Sequence, residues 1–203
     1  MLYYFYRVSA AFKLEPEKWI ERYSDALFSY AMMRINKKEI AEDLVQDTFF
    51  SALKAKDSFL YNASEKTWLI AILKRKIIDH YRKKSTQSEL NIFDRETKDS
   101  FMNHFFDSAD KSDGHWSEAG APKQWKQNFE TKVESDEFYS IFQNCMGKLP
   151  EKWAAVFSLK VLDDLDSEEI CKELQITPSN YWVLMHRAKL QLRECMEKNW
   201  FLK

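Results

Sequence analysis

Glycine and proline are scarce, 3 and 4 in a chain of 203 residues. Without them few places remain for the tight turns that join short strands, which favours helices over sheets. Charge of one sign is missing too. Lys and Arg total 31 against 32 Asp and Glu, a formal net charge of −1. A protein that grips duplex DNA alone through bulk electrostatics is usually basic overall, so any DNA contact here must come from local patches working beside a partner. Cys145, Cys171 and Cys195 are odd in number and lack CxxC or Cys/His spacing. That excludes a zinc knuckle and predicts reduced thiols in a cytosolic setting. No long apolar run occurs, and the aromatic start MLYYFYRVSAAF lacks a basic n-region. It reads as neither a secretory signal nor a membrane span, so the expected location is cytoplasmic.

What remains is 45% hydrophobic and 31% charged, a globular balance. The expected fold is all-α: two small helical domains, 1–84 and 135–203, joined by a linker at 85–134. In the first domain Ile40, Ala41, Leu44, Val45, Thr48, Ala52 and Leu53 recur at helical spacing and define one buried stripe. A second helix begins after Ser64, its N-cap, and carries Trp68, Leu69, Ile72, Leu73, Ile77 and Tyr81. The linker holds Gly114, Gly120 and Pro122 and scattered acids, yet also Phe93, Phe101, Phe105, Phe106, Trp116 and Trp125. So many aromatics exceed what a solvated spacer carries, so this segment is expected to dock, with short helical pieces. Beyond it, Phe138, Ile141, Phe142 and Cys145 form a stripe closed by Gly147. Leu149-Pro150 then opens a helix whose apolar face runs through Trp153, Val156, Phe157 and Val161.

The segment DSEEICKELQITPSNYWVLMHRAKLQLREC reads as a helix-turn-helix. Asp166 or Ser167 caps a short helix with Glu168 and Glu169 in its first turn, Gln175-Ile176 turns the chain, and Thr177-Pro178 starts the second helix. Tyr181, Leu184, Met185, Ala188 and Leu192 should face inward. Asn180, Trp182, Val183, His186, Arg187 and Lys189 should face a major groove, with Ser179 and Asn180 placed for phosphate oxygens and Arg187 for guanine or phosphate. The bland alternative is a helical hairpin with a solvated polar face.

The first domain offers two further surfaces. Glu39, Asp43, Gln46, Asp47 and Phe50 point away from the apolar stripe, and an acidic strip beside an exposed aromatic suits a basic partner helix. The following helix ends in Lys74, Arg75, Lys76, Arg82, Lys83 and Lys84, a run able to track phosphates, although basic residues also collect at helix C-termini because of the dipole.

AEDLVQDTFFSALK, TWLIAILKRKIIDHYRK, LPEKWAAVFSLKVLDDLDSEEI and HRAKLQLRE, in that order, resemble the extracytoplasmic-function (group IV) sigma factors of the sigma-70 family. The resemblance covers roughly Trp19 to Lys84 and Asp136 to Lys198, not the linker. It implies an alternative sigma factor that binds core RNA polymerase and directs transcription initiation through −10 and −35 elements. Asp43, Gln46 and Asp47, with Phe50 beside them, match the surface that docks on the beta-prime clamp helices; the beta flap is a second implied contact. The loop Phe59 to Ser64, with Tyr61 and Asn62, matches the one that captures a flipped −10 base, and Trp68 falls near the melting strand, though its spacing fits a core position equally. Trp182, Val183, His186 and Arg187 match −35 reading positions. An anti-sigma factor is a candidate third partner. Gln175 stands where the family often has glycine, Arg75 where it often has asparagine, and the linker is longer than a minimal one.

Two rival functions differ in class. A Mg²⁺ nuclease could use Glu42, Asp43 and Asp47, but no His, Lys or further carboxylate is tied to them by a motif, so no enzyme, metal or cofactor is expected. A self-sufficient helix-turn-helix regulator remains the alternative function, yet it gives no reason for an acidic strip, a basic helix and a stacking loop side by side.

Overall fold

The computed structural model describes residues 14–35, 37–60, 62–88, 101–106, 115–118, 120–123 and 132–201, without the side chains at 84–88, 132–135 and 201. Tyr61, the side chain of Lys84, Phe93, Gly114 and Trp125 lie outside these residues. All regular structure described is helical, as the glycine and proline counts predict. Internal contacts divide the chain into two compact units, Met1–His80 and Tyr81–Lys203.

The first unit contains α1 (Trp19–Met32), α2 (Lys38–Ala55) and the first part of α3 (Glu65–Ser88). Ala41, Val45, Thr48 and Ala52 of the expected α2 stripe are buried, and so is Phe49, which the stripe omitted. Leu53 is exposed instead. It lies one residue past Ala52, about 100° round the helix, on the border of the buried face. On α3, Leu69, Leu73 and Ile77 are fully buried at four-residue spacing, each stabilising the unit by about 1.5–3 kcal/mol relative to exposure. Ser64 caps α3 as expected, its hydroxyl accepting from the Thr67 N–H at 3.1 Å.

One buried carboxylate ties this unit together. Glu65, in the first turn of α3, accepts from the Trp19 indole N–H at 2.8 Å, the Glu15 backbone N–H at 2.7 Å and the Tyr23 hydroxyl at 3.0 Å. The positive end of the helix dipole also favours the charge there. Burial, followed by the bond to Glu65, raises the Tyr23 hydroxyl above its ordinary pKa.

In the second unit, α4 (residues 101–105) precedes α5 (Lys132–Gly147), α6 (Glu151–Phe157), α7 (Ser167–Leu174) and α8 (Pro178–Met196). Trp153, Val156 and Phe157 are buried as expected, but Val161 is 51% exposed. The helix changes to a π turn over Ser158–Leu162, and the wider turn rotates later residues out of the α-helical frame. Leu159 is buried there instead.

The cysteine expectation also needs correction. Cys145 of α5 and Cys195 of α8 are joined in a disulfide, with Cα atoms 5.7 Å apart across 50 residues of sequence. Only Cys171 is a free thiol. The spacing carries no trace of this pairing because it depends on α5 packing against α8, a tertiary contact.

The described part of the linker packs within this second unit. Phe105 is fully buried, Phe101 meets Trp153 edge-on at 5.1 Å, and Phe106 stacks on Trp116 at 4.7 Å. Arg193 of α8 donates to the Gly120 carbonyl and lies over the Trp116 ring at 4.4 Å. At Gly120 a Cβ would stand 2.5 Å from the Phe105 backbone, so only glycine permits this approach. Among the described residues Phe101, Phe105, Phe106 and Trp116 therefore do mark a docked stretch, and its dock is α6 and α8 of the same chain.

Candidate nucleic-acid interface

The helix-turn-helix forms where the sequence places it. Asp166 is the N-cap of α7, with Glu168 and Glu169 in the first turn. Gln175 ends α7 in the left-handed region at φ 55°. Its N–H approaches the Lys172 carbonyl, and the next N–H, from Ile176, donates to the Cys171 carbonyl at 3.0 Å. This is the double closure that glycine usually makes at a helix end. A side chain there costs about 1–2 kcal/mol, so the Gln175 departure keeps the turn at some loss of stability. Thr177 caps α8, accepting from the Asn180 N–H at 3.2 Å, with Pro178 in the first turn.

Tyr181, Leu184, Met185, Ala188 and Leu192 all face the core. Ser179, Asn180, His186 and Lys189 are exposed, and Trp182 and Val183 project to solvent at 63% and 44% exposure. Two adjacent exposed apolar side chains offer surface that a partner could cover. Arg187 breaks the expected pattern. It is half-buried, its guanidinium is 5.9 Å from the Trp153 ring centre, and its Nε is buried without a hydrogen-bond partner. Burial lowers its pKa. Position 187 lies on the flank of the Leu184–Ala188 stripe, and α6 packs against that flank. Arg187 is therefore more enclosed than Trp182, Val183 and His186 on the same helix. Phe106 of the linker approaches the same helix from another side, its ring nearly parallel to His186 at 6.2 Å.

On α2, Glu39, Asp43, Gln46, Asp47 and Phe50 are all exposed, Phe50 at 58%. Glu39, Asp43, Gln46 and Phe50 step by three or four, and Asp47 lies four past Asp43 and three before Phe50, so the five share one solvent face away from the buried stripe. Lys54 lies 4.2 Å over the Phe50 ring, and Asp47 meets Lys76 of α3 at 3.8 Å. Pairs this exposed contribute little to stability, so the face remains available.

In the loop before α3, Asn62 and Ser64 are exposed. Phe59 is buried at 8% and packs on Trp68 at 4.8 Å, while Trp68 meets Trp19 edge-on at 5.9 Å. The Phe59 ring is thus withdrawn from stacking on a base, because a tertiary aromatic chain holds it. Trp68 is half-buried within that chain. Of the basic run, Arg75 and Lys83 are exposed, and Lys74 and Arg82 half-buried. Arg82 donates to the Glu173 carbonyl at 3.0 Å and pairs with its carboxylate at 2.8 Å.

Residues 19–87 match the family profile of Sigma-70 region 2, and residues 139–192 that of Sigma-70 region 4. The chain is 41% identical to a probable RNA polymerase sigma factor of Haemophilus influenzae over 85% of its own length and 84% of the relative's. Two Bacillus subtilis proteins, RNA polymerase sigma factor YlaC and ECF RNA polymerase sigma factor SigW, are each 28% identical to it. They cover 90% and 86% of this chain and 92% and 85% of their own. No described helix is long and apolar enough to cross a membrane. With both regions matched in order and the helix-turn-helix formed, the chain belongs to the extracytoplasmic-function group of the sigma-70 family, alternative sigma factors that bind core RNA polymerase and direct promoter-specific transcription.

Proposed function

We propose that the two units divide this activity, with α2 holding the polymerase and α8 reading the upstream promoter element. The observation that carries the proposal is the open face of α2. Glu39, Asp43, Gln46, Asp47 and Phe50 all stand in solvent there, Asp47 and Phe50 engaged in exposed pairs with Lys76 and Lys54, and Asp43, Gln46 and Asp47 fall where the resemblance puts the clamp contact. A basic helix laid along that face would pair with the carboxylates and cover Phe50. The boundaries 1–84, 85–134 and 135–203 then describe the chain by task. The chemistry stays with the polymerase, so the chain is a regulatory subunit acting in the cytoplasm where the polymerase works.

On α8, Trp182 and Val183 supply apolar surface for thymine methyls and His186 a ring nitrogen for a base edge. Ser179 and Asn180, at the positive end of the helix, suit phosphate oxygens, and Lys189 adds a charge for the backbone. Arg187 drops out of the reading set. In the first unit Asn62 and Ser64, with Tyr61 between the described stretches, remain the base-capture candidates. Phe59 and Trp68 then act as the anchor that fixes where the loop leaves the core. Lys74, Arg75 and Lys83 serve the phosphates.

The experiment is run-off transcription and binding with purified core polymerase. Asp43→Arg and Asp47→Arg should weaken polymerase binding by about 2–5 kcal/mol, the cost of breaking a desolvated charge pair, and leave thermal unfolding unchanged. Wild-type binding by both variants would reject the α2 assignment. Sequence-specific nanomolar binding of promoter duplex by the isolated chain would instead mark a self-sufficient regulator.

A further inference from the structure

The helix-turn-helix is enclosed by a covalent bond. Cys145 and Cys195 close a loop containing α6, α7 and almost all of α8, and they bolt α5 to the last turns of α8. The same turns hold the linker, through Arg193 to Gly120 and through Glu197, which accepts from the Lys123 backbone N–H at 3.4 Å. Trp182 and Val183 lie more than three helical turns away from the bond and remain open. The bond therefore braces the reading unit without covering its reading face.

The two cysteines are unequal. Cys145 is 1% exposed, whereas Cys195 is half-buried. The Asn199 amide, anchored on the Cys195 carbonyl at 2.6 Å, also reaches the Cys195 sulfur at 3.6 Å. A donor at that position favours the thiolate once the bond is open. Cys171 does not compete, because burial and then Glu168 push its thiol up.

We propose that Cys145 and Cys195 form a reversible redox site, oxidised by hydroperoxides, that stiffens the promoter-reading unit. The inference rests on the polymerase-dependent function, which places the chain where thiols are kept reduced and where a disulfide is usually transient and sensing. The Cys195 thiolate attacks the outer oxygen of a hydroperoxide, the O–O bond breaks, and the alkoxide (hydroxide, when the oxidant is hydrogen peroxide) leaves with the proton that the Cys195 thiol lost. Cys195 becomes a sulfenic acid. The Cys145 thiol then gives up its proton and attacks that sulfur; the S–S bond forms and hydroxide departs as water. Two thiols have lost two electrons, and the peroxide has become an alcohol and water, or two waters from hydrogen peroxide. A dithiol reductant returns the two electrons and two protons by thiol–disulfide exchange.

The test uses the full chain. Reduced protein treated with hydrogen peroxide should lose two of its three titratable thiols, and peptide mapping should join Cys145 to Cys195. Dithiothreitol and a glutathione buffer of cytosolic composition should both restore the thiols. The oxidised form should unfold about 10 °C higher than the reduced form and keep transcriptional activity through a heat step that halves that of the reduced form. Cys145→Ala with Cys195→Ser should match the reduced wild type in transcription without heat and ignore peroxide. Asn199→Ala should slow thiol loss several-fold while leaving the reduced melting point unchanged. Three thiols surviving peroxide, a bond that resists the glutathione buffer, or equal heat survival of the two forms would each overturn the proposal. Thiol counting needs no polymerase, and unheated transcription by the double variant needs no disulfide, so failure of the redox site and failure of the sigma-factor assignment are told apart.

Discussion

Glu65 and Arg187 are both charged groups drawn away from water, one in each unit, and their surroundings differ. Three donors converge on Glu65 and fill both carboxylate oxygens. Arg187 has the Trp153 ring nearby and a buried Nε that bonds to nothing. A buried charge that is fully hydrogen-bonded fixes one arrangement, while one that is incompletely bonded leaves its neighbourhood tolerant of change. The first unit is therefore locked at its polar centre. The second is held from outside, by the docked linker and the Cys145–Cys195 bond, and the ties from Gln191 to the Lys148 carbonyl and from Arg193 to the Gly120 carbonyl lie toward the C-terminal end of α8, away from Trp182 and Val183.

The sharpest way to break this contrast is Glu65→Ala. It leaves the Trp19 indole N–H and the Tyr23 hydroxyl without their acceptor, and urea unfolding of the full chain should show the first transition destabilised by about 2–5 kcal/mol. A loss below 1 kcal/mol, the level of an ordinary surface change, would mean that the carboxylate is not the centre of the unit. Next in size is Trp182→Ala on the reading face. It should weaken holoenzyme binding at the upstream element by about 1–3 kcal/mol with no effect on stability, checked by competition between matched and scrambled −35 sequences. The smallest effect belongs to Arg187→Met. Replacing a half-buried, poorly satisfied cation by an apolar chain of similar length should change stability by less than about 1 kcal/mol or raise it, and −35 discrimination should stay as in the wild type. Loss of discrimination with intact stability would return Arg187 to the DNA.

These contrasts also show what a sequence can and cannot carry. The face of α2 was legible because exposed Asp43 and Asp47 and buried Ala41 and Val45 recur with the period of a single helix. The caps at Ser64 and Thr177, and the turn at Gln175, are likewise local chemistry. Phe59 was misplaced because its partner Trp68 and the further ring of Trp19 meet only after three segments assemble. Arg187 is more enclosed than its helix face suggests because it lies on a flank of α8, and whether a flank is covered depends on another helix. Val161 went astray through a π turn, which no count in steps of three and four anticipates. The docking of the linker could be read from its aromatics, but the place it docks could not. The need for glycine at position 120 becomes visible only when the Phe105 backbone is beside it.

The exposure of Trp182 has an optical consequence. Of the seven tryptophans in the chain, Trp19 and Trp153 are 1% and 4% exposed, whereas Trp182 stands at 63% on the proposed reading face. An indole in water emits at longer wavelength than one in a core, and dissolved iodide quenches it far more readily. The reading helix therefore carries its own fluorophore. Entry into a groove would strip water from that ring, shift its emission to the blue and shield it from iodide, with the sunken pair as an internal reference. Promoter capture by the holoenzyme could then be followed in real time by subtracting the signal of a Trp182→Phe control, with no label attached to protein or DNA.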